Sequence, residues 1–217
     1  MNTPGITVDP IVMLTGEHIQ NQIFFEDVRV PKKNAVGKVG DGWTVAKYLL
    51  QFERGNAYAP KLHGHLNKVR HIAETERGRD GTTLISNSEF RSKLDQAEID
   101  ITAIEFTEHR ILSELSQGGA PGAASSMLKT RGTEMSNRIT ELAVEALHHY
   151  IAPFQPHMTS PGGPVLNAPE VSANEHAIGP DYGTTVLPKY LNDRAGPIYA
   201  GSNEIQRNIM AKAVLGL

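Results

Sequence analysis

Apolar residues recur at helical spacing along most of the chain, and the clearest run lies in its middle. The positions are three, four or seven residues apart, which places them on one face of a helix. They are Phe90, Leu94, Ala97, Ile101, Ile104, Ile111 and Leu115. The segment 86–89 (SNSE) supplies cap residues and a first-turn acid, and Gly118-Gly119 breaks the pattern. The sequence therefore predicts one long helix between these two breaks.

A second helical pattern extends from Trp43 to about Glu76. Its apolar positions are Val45, Leu49, Phe52, Leu62, Leu66, Val69 and Ile72. Pro60 lies inside this pattern, and proline removes a backbone donor and clashes with the preceding turn. We therefore expect either a kink or a new helix start near residue 60.

Two further helices are predicted towards the C-terminus. The longer one extends from about Ala123 to Tyr150, and its apolar side consists of Met127, Ile139, Leu142, Ala143, Ala146 and Leu147. The short one extends from about Asn203 to Val214, and Asn203 with Gln206 resembles a capping box. Residues 151–184 are rich in Pro, Gly, Ser and Asn, which predicts a long irregular connection.

The N-terminal segment has a different pattern. Residues 20–31 mix β-branched and aromatic residues with polar ones, which predicts a strand that Pro31 ends. One strand with one neighbour is too small to be a stable sheet, so the segment resembles the tail of a β-domain. The amphipathic helices can bury their apolar faces against one another. The predicted fold is therefore mainly α, an up-and-down four-helix-type bundle with a short β remnant at the N-terminus.

Composition excludes several classes of function. The net charge of -3 provides no basic field for nucleic acid. The chain has no cysteine, which excludes disulfides and zinc–thiolate sites and fits a reducing compartment. The nine histidines form no metal-ligand pattern. No signal peptide or membrane-length apolar run is visible, so we expect a cytoplasmic protein without a membrane span.

Two segments resemble the acyl-CoA dehydrogenase family. Residues 16–55 read GEHIQNQIFFEDVRVPKKNAVGKVGDGWTVAKYLLQFERG, similar to the family passage that leads from the middle β-domain into the C-terminal bundle. Residues 198–217 read IYAGSNEIQRNIMAKAVLGL, similar to the family's terminal segment. The resemblance implies that residues 1–37 are the tail of the middle β-domain and that residues 38–217 are the C-terminal helical bundle. Residues 151–184 depart from the family pattern.

The resemblance also implies a chemistry, the α,β-dehydrogenation of an acyl-CoA thioester. A carboxylate removes the α-proton, and FAD accepts the β-hydride; a carboxylate excluded from water is suited to be the base because its pKa rises towards neutrality. Many family members carry this acid at the position of Ala200, which has no proton acceptor. One branch of the family carries it on the first bundle helix, directly before an arginine, where this chain has Glu53 and Arg54.

We therefore predict Glu53 as the base, with Arg54 orienting the carboxylate or contacting substrate. The backbone N–H of Ala200 is predicted to bind the thioester carbonyl, as the resemblance implies. Without the motif, Glu53 and Arg54 would be read as ordinary charges on a helix surface.

The start of the terminal helix is the predicted cofactor contact. The resemblance implies that Gly201, Ser202 and Glu204 touch the FAD, and a helix N-terminus offers free N–H groups for such a contact. Plain helix capping is the alternative for these three residues. Gln206 with Arg207 matches the family's terminal motif, although the pair could equally form a solvated face.

Two stretches that hold a neighbouring subunit's flavin in relatives are altered here, at Glu76–Gly81 and Glu145–His149. Lone Glu145 and His148 are therefore expected to be packing or surface residues. The resemblance implies a homo- or hetero-tetramer formed through the bundle, with electron-transfer flavoprotein as electron acceptor. Three hypotheses follow: part of an active dehydrogenase that is inactive by itself, a non-catalytic subunit of a mixed oligomer, or a helical binding module unrelated to flavin chemistry.

Overall fold

The computed structural model describes residues 2–52, 57–119, 122–155 and 178–217. In these ranges the chain forms a β-hairpin followed by six helices. The strands are β1 (Ile6–Val12) and β2 (His18–Phe25); the helices are α1 (Gly42–Phe52), α2 (Ala59–Thr75), α3 (Ser88–Ser116), α4 (Gly122–Leu147), α5 (Val186–Asp193) and α6 (Asn203–Met210). The predicted fold class is confirmed. Within the described part of the chain, no helix is long and apolar enough to cross a membrane.

The hairpin is antiparallel, with Ile6 opposite Phe25. The strand predicted to continue towards Pro31 is wrong beyond Phe25, because Asp27 has a left-handed φ of 50° that turns the chain. The Glu26 N–H donates to the Gly5 carbonyl at 2.8 Å and closes the open end of the hairpin. Most of the hairpin side chains are exposed. A two-stranded hairpin with so little burial gains little stability of its own.

The long pattern from Trp43 to Glu76 is divided into α1 and α2. Pro60 occupies the second position of α2, where the first-turn N–H groups have no helical acceptor, so the predicted restart is confirmed. Leu49 of the predicted α1 stripe is exposed. Helix α3 begins where the sequence predicts, because the Asn87 side chain caps it by accepting the Phe90 N–H at 3.0 Å.

Helices α2, α3 and α4 run alternately up and down. Arg70 near the end of α2 bonds Glu98 in the first half of α3 at 3.4 Å, so these two helices are antiparallel. Lys93 near the start of α3 bonds Glu145 near the end of α4 at 2.7 Å, so α3 and α4 are antiparallel as well. The three helices enclose most of the buried apolar core, which includes Leu62, Leu66, Leu94, Ile101, Ile139, Leu142 and Leu147.

The buried face of α4 is polar in its first half, which corrects one predicted core position. Met127 is 40% exposed, although the sequence predicts it on the apolar side. The buried positions at this end are Ser125, Ser126, Lys129, Thr130, Gly132 and Thr133. This half of α4 faces loop backbone and helix ends as well as apolar helices, and those backbone groups require hydrogen-bonding side chains.

The C-terminal region contains one helix that the sequence pattern did not predict. Helix α5 has only eight residues and carries Pro188 in its first turn, where proline is tolerated. Residues 156–177 of the predicted irregular connection lie outside the described residues. Helix α6 ends at Met210 and continues as one π-helical turn over Ala211–Leu215, close to the predicted end at Val214.

Gly132 sets the distance between α2 and α4. A Cβ built on Gly132 would lie 2.4 Å from the ring of Tyr58, the residue directly before α2. Only glycine lets the ring pack this closely on the helix. Gly64 lies on an exposed face of α2, and a Cβ there would meet nothing within 4 Å.

We expect Gly132→Ala to lower the free energy of unfolding by about 1–3 kcal/mol, because the Tyr58 ring must move away from the new methyl group. Gly64→Ala is the matched control and should raise it by about 0.5–1 kcal/mol through higher helix propensity. Urea unfolding of both variants measures the difference. Stabilisation by both substitutions would contradict the close packing at Gly132.

His65 is a half-buried histidine on α2 that is neutral near pH 7. Burial and the positive charges of Lys189, Lys61 and Lys68 lower its pKa from 6.5 to about 4, and Asp193 opposes them only in part. No described atom forms a hydrogen bond with its buried Nδ1. The imidazole lines a cavity of about 230 Å³ between α2, α4 and α5.

Because the unfolded chain binds the His65 proton more readily, this group should reduce stability as the pH falls from 6.5 to about 4. We expect His65→Leu to flatten the fall of the unfolding temperature across this window. The exposed His109→Gln variant is the control and should keep the slope of the unchanged protein. Parallel profiles for His65→Leu and the unchanged protein would contradict a depressed pKa.

Candidate functional site

The loop between α5 and α6 has an unusual backbone conformation at its end. Ala200 has a φ of 55° and Gly201 a φ of 79°, so both lie in the left-handed region. Glycine adopts this region easily, whereas alanine does so only when its surroundings hold it there. In the part of the chain that the structure describes, no acceptor receives the Ala200 N–H. Within the described residues, this N–H thus has no hydrogen-bond partner.

Gln206 holds the carbonyl side of the same loop. Its Nε2 donates to the Ala200 carbonyl at 3.4 Å and to the Gly201 carbonyl at 3.2 Å. The side chain is only 1% exposed, so the interpretation of Gln206 as part of a solvated face is wrong. A Cβ on Gly201 would lie 2.6 Å from this Nε2, which explains why glycine stands there.

Ser202 caps the N-terminus of α6, a role that the sequence predicts for Asn203. Ser202 is the N-cap of α6, and its Oγ accepts the Ile205 N–H at 3.4 Å. Asn203 is buried inside the bundle and bonds Thr133 on α4, with its Nδ2 3.2 Å from Oγ1. The capping box predicted for Asn203 and Gln206 is therefore wrong, because both side chains point into the protein.

Lys129 joins the loop to α4 from inside the protein. Its side chain is 2% exposed, and its Nζ donates to the Gly196 carbonyl at 3.2 Å and to Asn203 Oδ1 at 2.9 Å. Burial lowers the pKa of this ammonium below its usual value, and Glu204 opposes the shift. The two acceptors lie on either side of residues 197–202, so one charged group fixes both ends of the loop.

A buried carboxylate fixes the start of α2. Glu108 on α3 accepts the N–H groups of Tyr58 and of Ala59, the latter at 3.1 Å. Tyr58 itself provides no side-chain cap, so Glu108 satisfies N–H groups that would otherwise lack a partner. A negative charge at this place also interacts favourably with the helix dipole.

The start of α2 and the loop line one cavity of about 350 Å³. Its walls include Ala57 and Tyr58 before α2, Thr133 on α4, and Gly196 and Tyr199 in the loop. Burial raises the pKa of the Tyr58 hydroxyl, with smaller contributions from Tyr199 and Glu108. Burial raises the pKa of Tyr199 as well, together with Asp193. Both phenols are therefore neutral at pH 7.

The predicted site residues are brought together only in part. Ala200, Gly201, Ser202 and Glu204 lie next to one another at the start of α6. Glu53 and Arg54 lie outside the described residues. The nearest described residue after them is Ala57, which is in the wall of the cavity.

Lys129, Glu108 and Tyr58 were not predicted from the sequence. One signal of Lys129 was present: Ser126, Lys129 and Thr133 recur three and four residues apart, as residues on one helix face do. Glu108 gives no such signal, because it looks like any other charged residue on α3. Its partners are backbone groups about 50 residues away, and no residue pattern reveals them.

The start of α6 fits a flavin contact in part. Gly201 presents bare backbone, whereas the Ser202 hydroxyl is already used as the helix cap. Hydrogen bonds to its own N–H and to Ser202, and the charge of Arg207, lower the pKa of Glu204. A charged carboxylate at this place repels phosphate oxygens, so the neutral ring system of a flavin fits better than its pyrophosphate.

Residues 76–81 and 145–149, which differ from the family's flavin-binding stretches, form hydrogen bonds within the chain. Glu145 bonds Lys93, as expected for a packing or surface residue, and Glu76 accepts the Tyr182 hydroxyl at 2.7 Å. Arg77 donates to the Gly81 carbonyl at 2.8 Å and closes its own turn. Among the described residues, no group of three or more His, Asp or Glu could hold a metal ion.

Known proteins resemble the chain over its whole length. Acyl-CoA dehydrogenase IpdE1 of Mycobacterium tuberculosis is 28% identical over 217 residues, which are 100% of this chain and 49% of that protein. The ChsE4-ChsE5 complex of Mycobacterium tuberculosis has a TM-score of 0.74 at 24% identity, covering 100% of this chain and 51% of that one. A glutaryl-coenzyme A dehydrogenase in complex with glutaryl-CoA has a TM-score of 0.74 at 19% identity, covering 99% and 48%. The chain thus spans about half the length of these relatives.

The sequence profile described as "Acyl-CoA dehydrogenase, C-terminal domain" matches residues 40–150, from the start of α1 to the end of α4. This match includes the buried faces of α2, α3 and α4, and it excludes the hypothesis of an unrelated helical module. The chain belongs to the acyl-CoA dehydrogenase family and corresponds to the C-terminal portion of its members.

Proposed function

We propose that this chain supplies the C-terminal part of a flavin-dependent acyl-CoA dehydrogenase, in which Glu53 removes the α-proton of an acyl-CoA thioester. The observation that carries the proposal is the shared cavity wall of Ala57 and Tyr199. Glu53 is four residues before Ala57, so the chain can extend at most about 14 Å between them. A base at position 53 is therefore within reach of the loop that ends in Ala200.

The two functional groups come from separate segments. The Ala200 N–H would donate to the thioester carbonyl, and the negative charge that develops there during proton removal would strengthen this bond. Glu53 would receive the proton from the adjacent carbon. Arg54 would orient the carboxylate of Glu53 or contact the substrate.

The cavity side of the site favours a carboxylate base. Tyr58, Tyr199 and Leu62 present rings and apolar carbon at the cavity, whose lining also includes the charged Lys61 and Asp193. A carboxylate on the apolar side of this cavity would have a pKa raised towards neutrality. Gly201, Ser202 and Glu204 are proposed to touch the flavin, with Gly201 offering the closest backbone approach. When bound, FAD accepts the β-hydride.

The remainder of the active site must come from outside residues 1–217. We propose that residues 1–37 are the tail of the middle β-domain and that residues 38–217 are the bundle domain. The flavin pocket is completed by further domains or by a partner subunit, and the chain by itself is inactive. The bundle forms a homo- or hetero-tetramer in the cytoplasm, and electron-transfer flavoprotein receives the electrons.

We expect Glu53→Gln, in the assembly that contains the complete flavin pocket, to slow α-proton exchange of the bound thioester by about 10²- to 10⁴-fold, because the amide accepts no proton at neutral pH. Deuterium incorporation from D₂O, followed by NMR of the acyl-CoA, measures this rate. Glu74→Gln, an exposed acid on α2, is the control and should leave it unchanged. An unaltered rate of α-proton exchange in Glu53→Gln would contradict the assignment of Glu53 as the base.

A second function is supported by the lack of a carboxylate at position 200 and by the altered flavin stretches. The chain would then be a non-catalytic subunit that packs against an active homologue. One of the similar solved structures is itself a complex of two different subunits.

If the chain is such a subunit, it should co-purify with a flavin-bearing homologue, and activity of the mixed oligomer should survive Glu53→Gln. Size-exclusion chromatography with light scattering and a visible absorption spectrum test the assembly. A monomer that forms no mixed oligomer with any flavin-bearing homologue would rule this function out.

A further inference from the structure

Lys129 is a buried cation that forms no hydrogen bond with a carboxylate in the described chain, and Glu204 acts on it only through its charge. The side chain is 2% exposed, and its described hydrogen-bond partners are two neutral oxygens, the Gly196 carbonyl at 3.2 Å and Asn203 Oδ1 at 2.9 Å. An aliphatic side chain of similar volume would fill the same space without the cost of burying a charge. A lysine at this position therefore indicates that the hydrogen bonds themselves are required.

The two partners of Lys129 define a closed stretch of chain. Gly196 precedes residues 197–202 and Asn203 follows them, so the ammonium ties both ends of this stretch to the same point of α4. Thr133, one turn further along α4, bonds Asn203 as well, and its Oγ1 accepts from the Asn203 Nδ2 at 3.2 Å. Relative movement of the two ends would break at least one charged hydrogen bond.

The stretch between these ends includes the strained Ala200. A left-handed alanine relaxes to an ordinary conformation unless the structure around it prevents this. Gln206 holds the carbonyl groups of Ala200 and Gly201 from one side, but Gln206 belongs to α6 and moves with it. Among the contacts that join this unit to the long helix α4, which include the bonds of Thr133 to Asn203 and of Glu134 to Arg207, Lys129 is the one that reaches both ends of residues 196–203.

We propose that Lys129 is a positioning residue for thioester binding: its ammonium fixes residues 196–203 so that the Ala200 N–H stays directed at the carbonyl of the acyl-CoA. The proposal rests on the proposed function for its ligand, whereas the loop-holding role stands on the geometry alone. Lys129 acts through the backbone and does not itself touch the substrate.

Amide hydrogen exchange of the 217-residue chain tests the loop-holding role without any catalysis. The reporters are the hydrogen-bonded amides of Ile198, Tyr199 and Asn203, which bond carbonyl groups within the loop. In Lys129→Met they should exchange about tenfold faster or more, because a charged hydrogen bond at each end is lost. Amides of the α3 core should change by less than about twofold. Lys93→Met removes a lysine that bonds Glu145 far from the loop, and it should leave the reporters unchanged.

A second variant covers the case in which Lys129→Met does not fold. Asn203→Ala removes one of the two acceptors and leaves the bond to Gly196, and the same three amides should again exchange faster than the α3 core. Equal acceleration throughout the chain, or no change at the reporters, overturns the loop-holding role in either variant.

The catalytic part is tested in the assembly with the complete flavin pocket. Lys129→Met should lower kcat by about tenfold and change KM by less than about threefold, because the displaced N–H stabilises charge that appears mainly in the transition state. A loosened loop with unchanged kcat overturns the positioning role. Failure of the proposed function would appear separately, as unaltered α-proton exchange in Glu53→Gln.

Discussion

The ammonium of Lys129 lies inside the protein against neutral oxygens, and much of the C-terminal arrangement depends on this contact. A buried charge costs several kcal/mol unless its hydrogen bonds are complete, so α4 and the loop before α6 have to stay together. The same face of α4 offers Gly132 to the Tyr58 ring and Ser136 to Asp193 at the end of α5. One polar helix face therefore organises the starts of α2 and α6 and the end of α5.

A second buried charge complements the first. Glu108 on α3 holds the N–H groups at the start of α2, where the chain provides no cap of its own. The carboxylate thus fixes the segment that follows the predicted base, and the ammonium fixes the loop that carries the Ala200 N–H. The two segments are far apart in sequence and are attached to different helices of one rigid core. Their relative position is then set by the packing of α3 against α4, which the apolar side chains determine.

The sequence predicts those parts of the fold in which apolar periodicity and local signals agree. The stripe of α3 and its Asn87 cap are an example, and the helix start at Pro60 is another. Helix α5 was missed because its eight residues are too few to show a helical repeat of apolar positions. Its proline, Pro188, is also a residue that usually indicates the absence of a helix. Met127 was misplaced because the first half of α4 buries polar side chains against loop backbone, which no hydrophobic pattern reveals. The cap of α6 was misplaced by one residue, since Ser202 and Asn203 are both good caps and only the tertiary bond of Asn203 to Thr133 separates them.

The motif singles out the segment at the start of α6 as the candidate site, but the sequence did not predict the groups that hold this segment in place. Lys129 and Gln206 act on backbone carbonyls of the loop, and Gly201 leaves room for Gln206. None of these contacts involves the side chain at position 200. The loop can therefore keep its backbone geometry, and with it a free N–H, whether residue 200 is an acid or an alanine. Under the proposed function, an alanine at this position removes one possible base and keeps the N–H proposed to bind the thioester carbonyl, so that a base on the neighbouring segment would complete the site. Because the loop geometry does not depend on the side chain at position 200, a subunit could also lack catalytic activity and still keep the packing that stabilises an active partner.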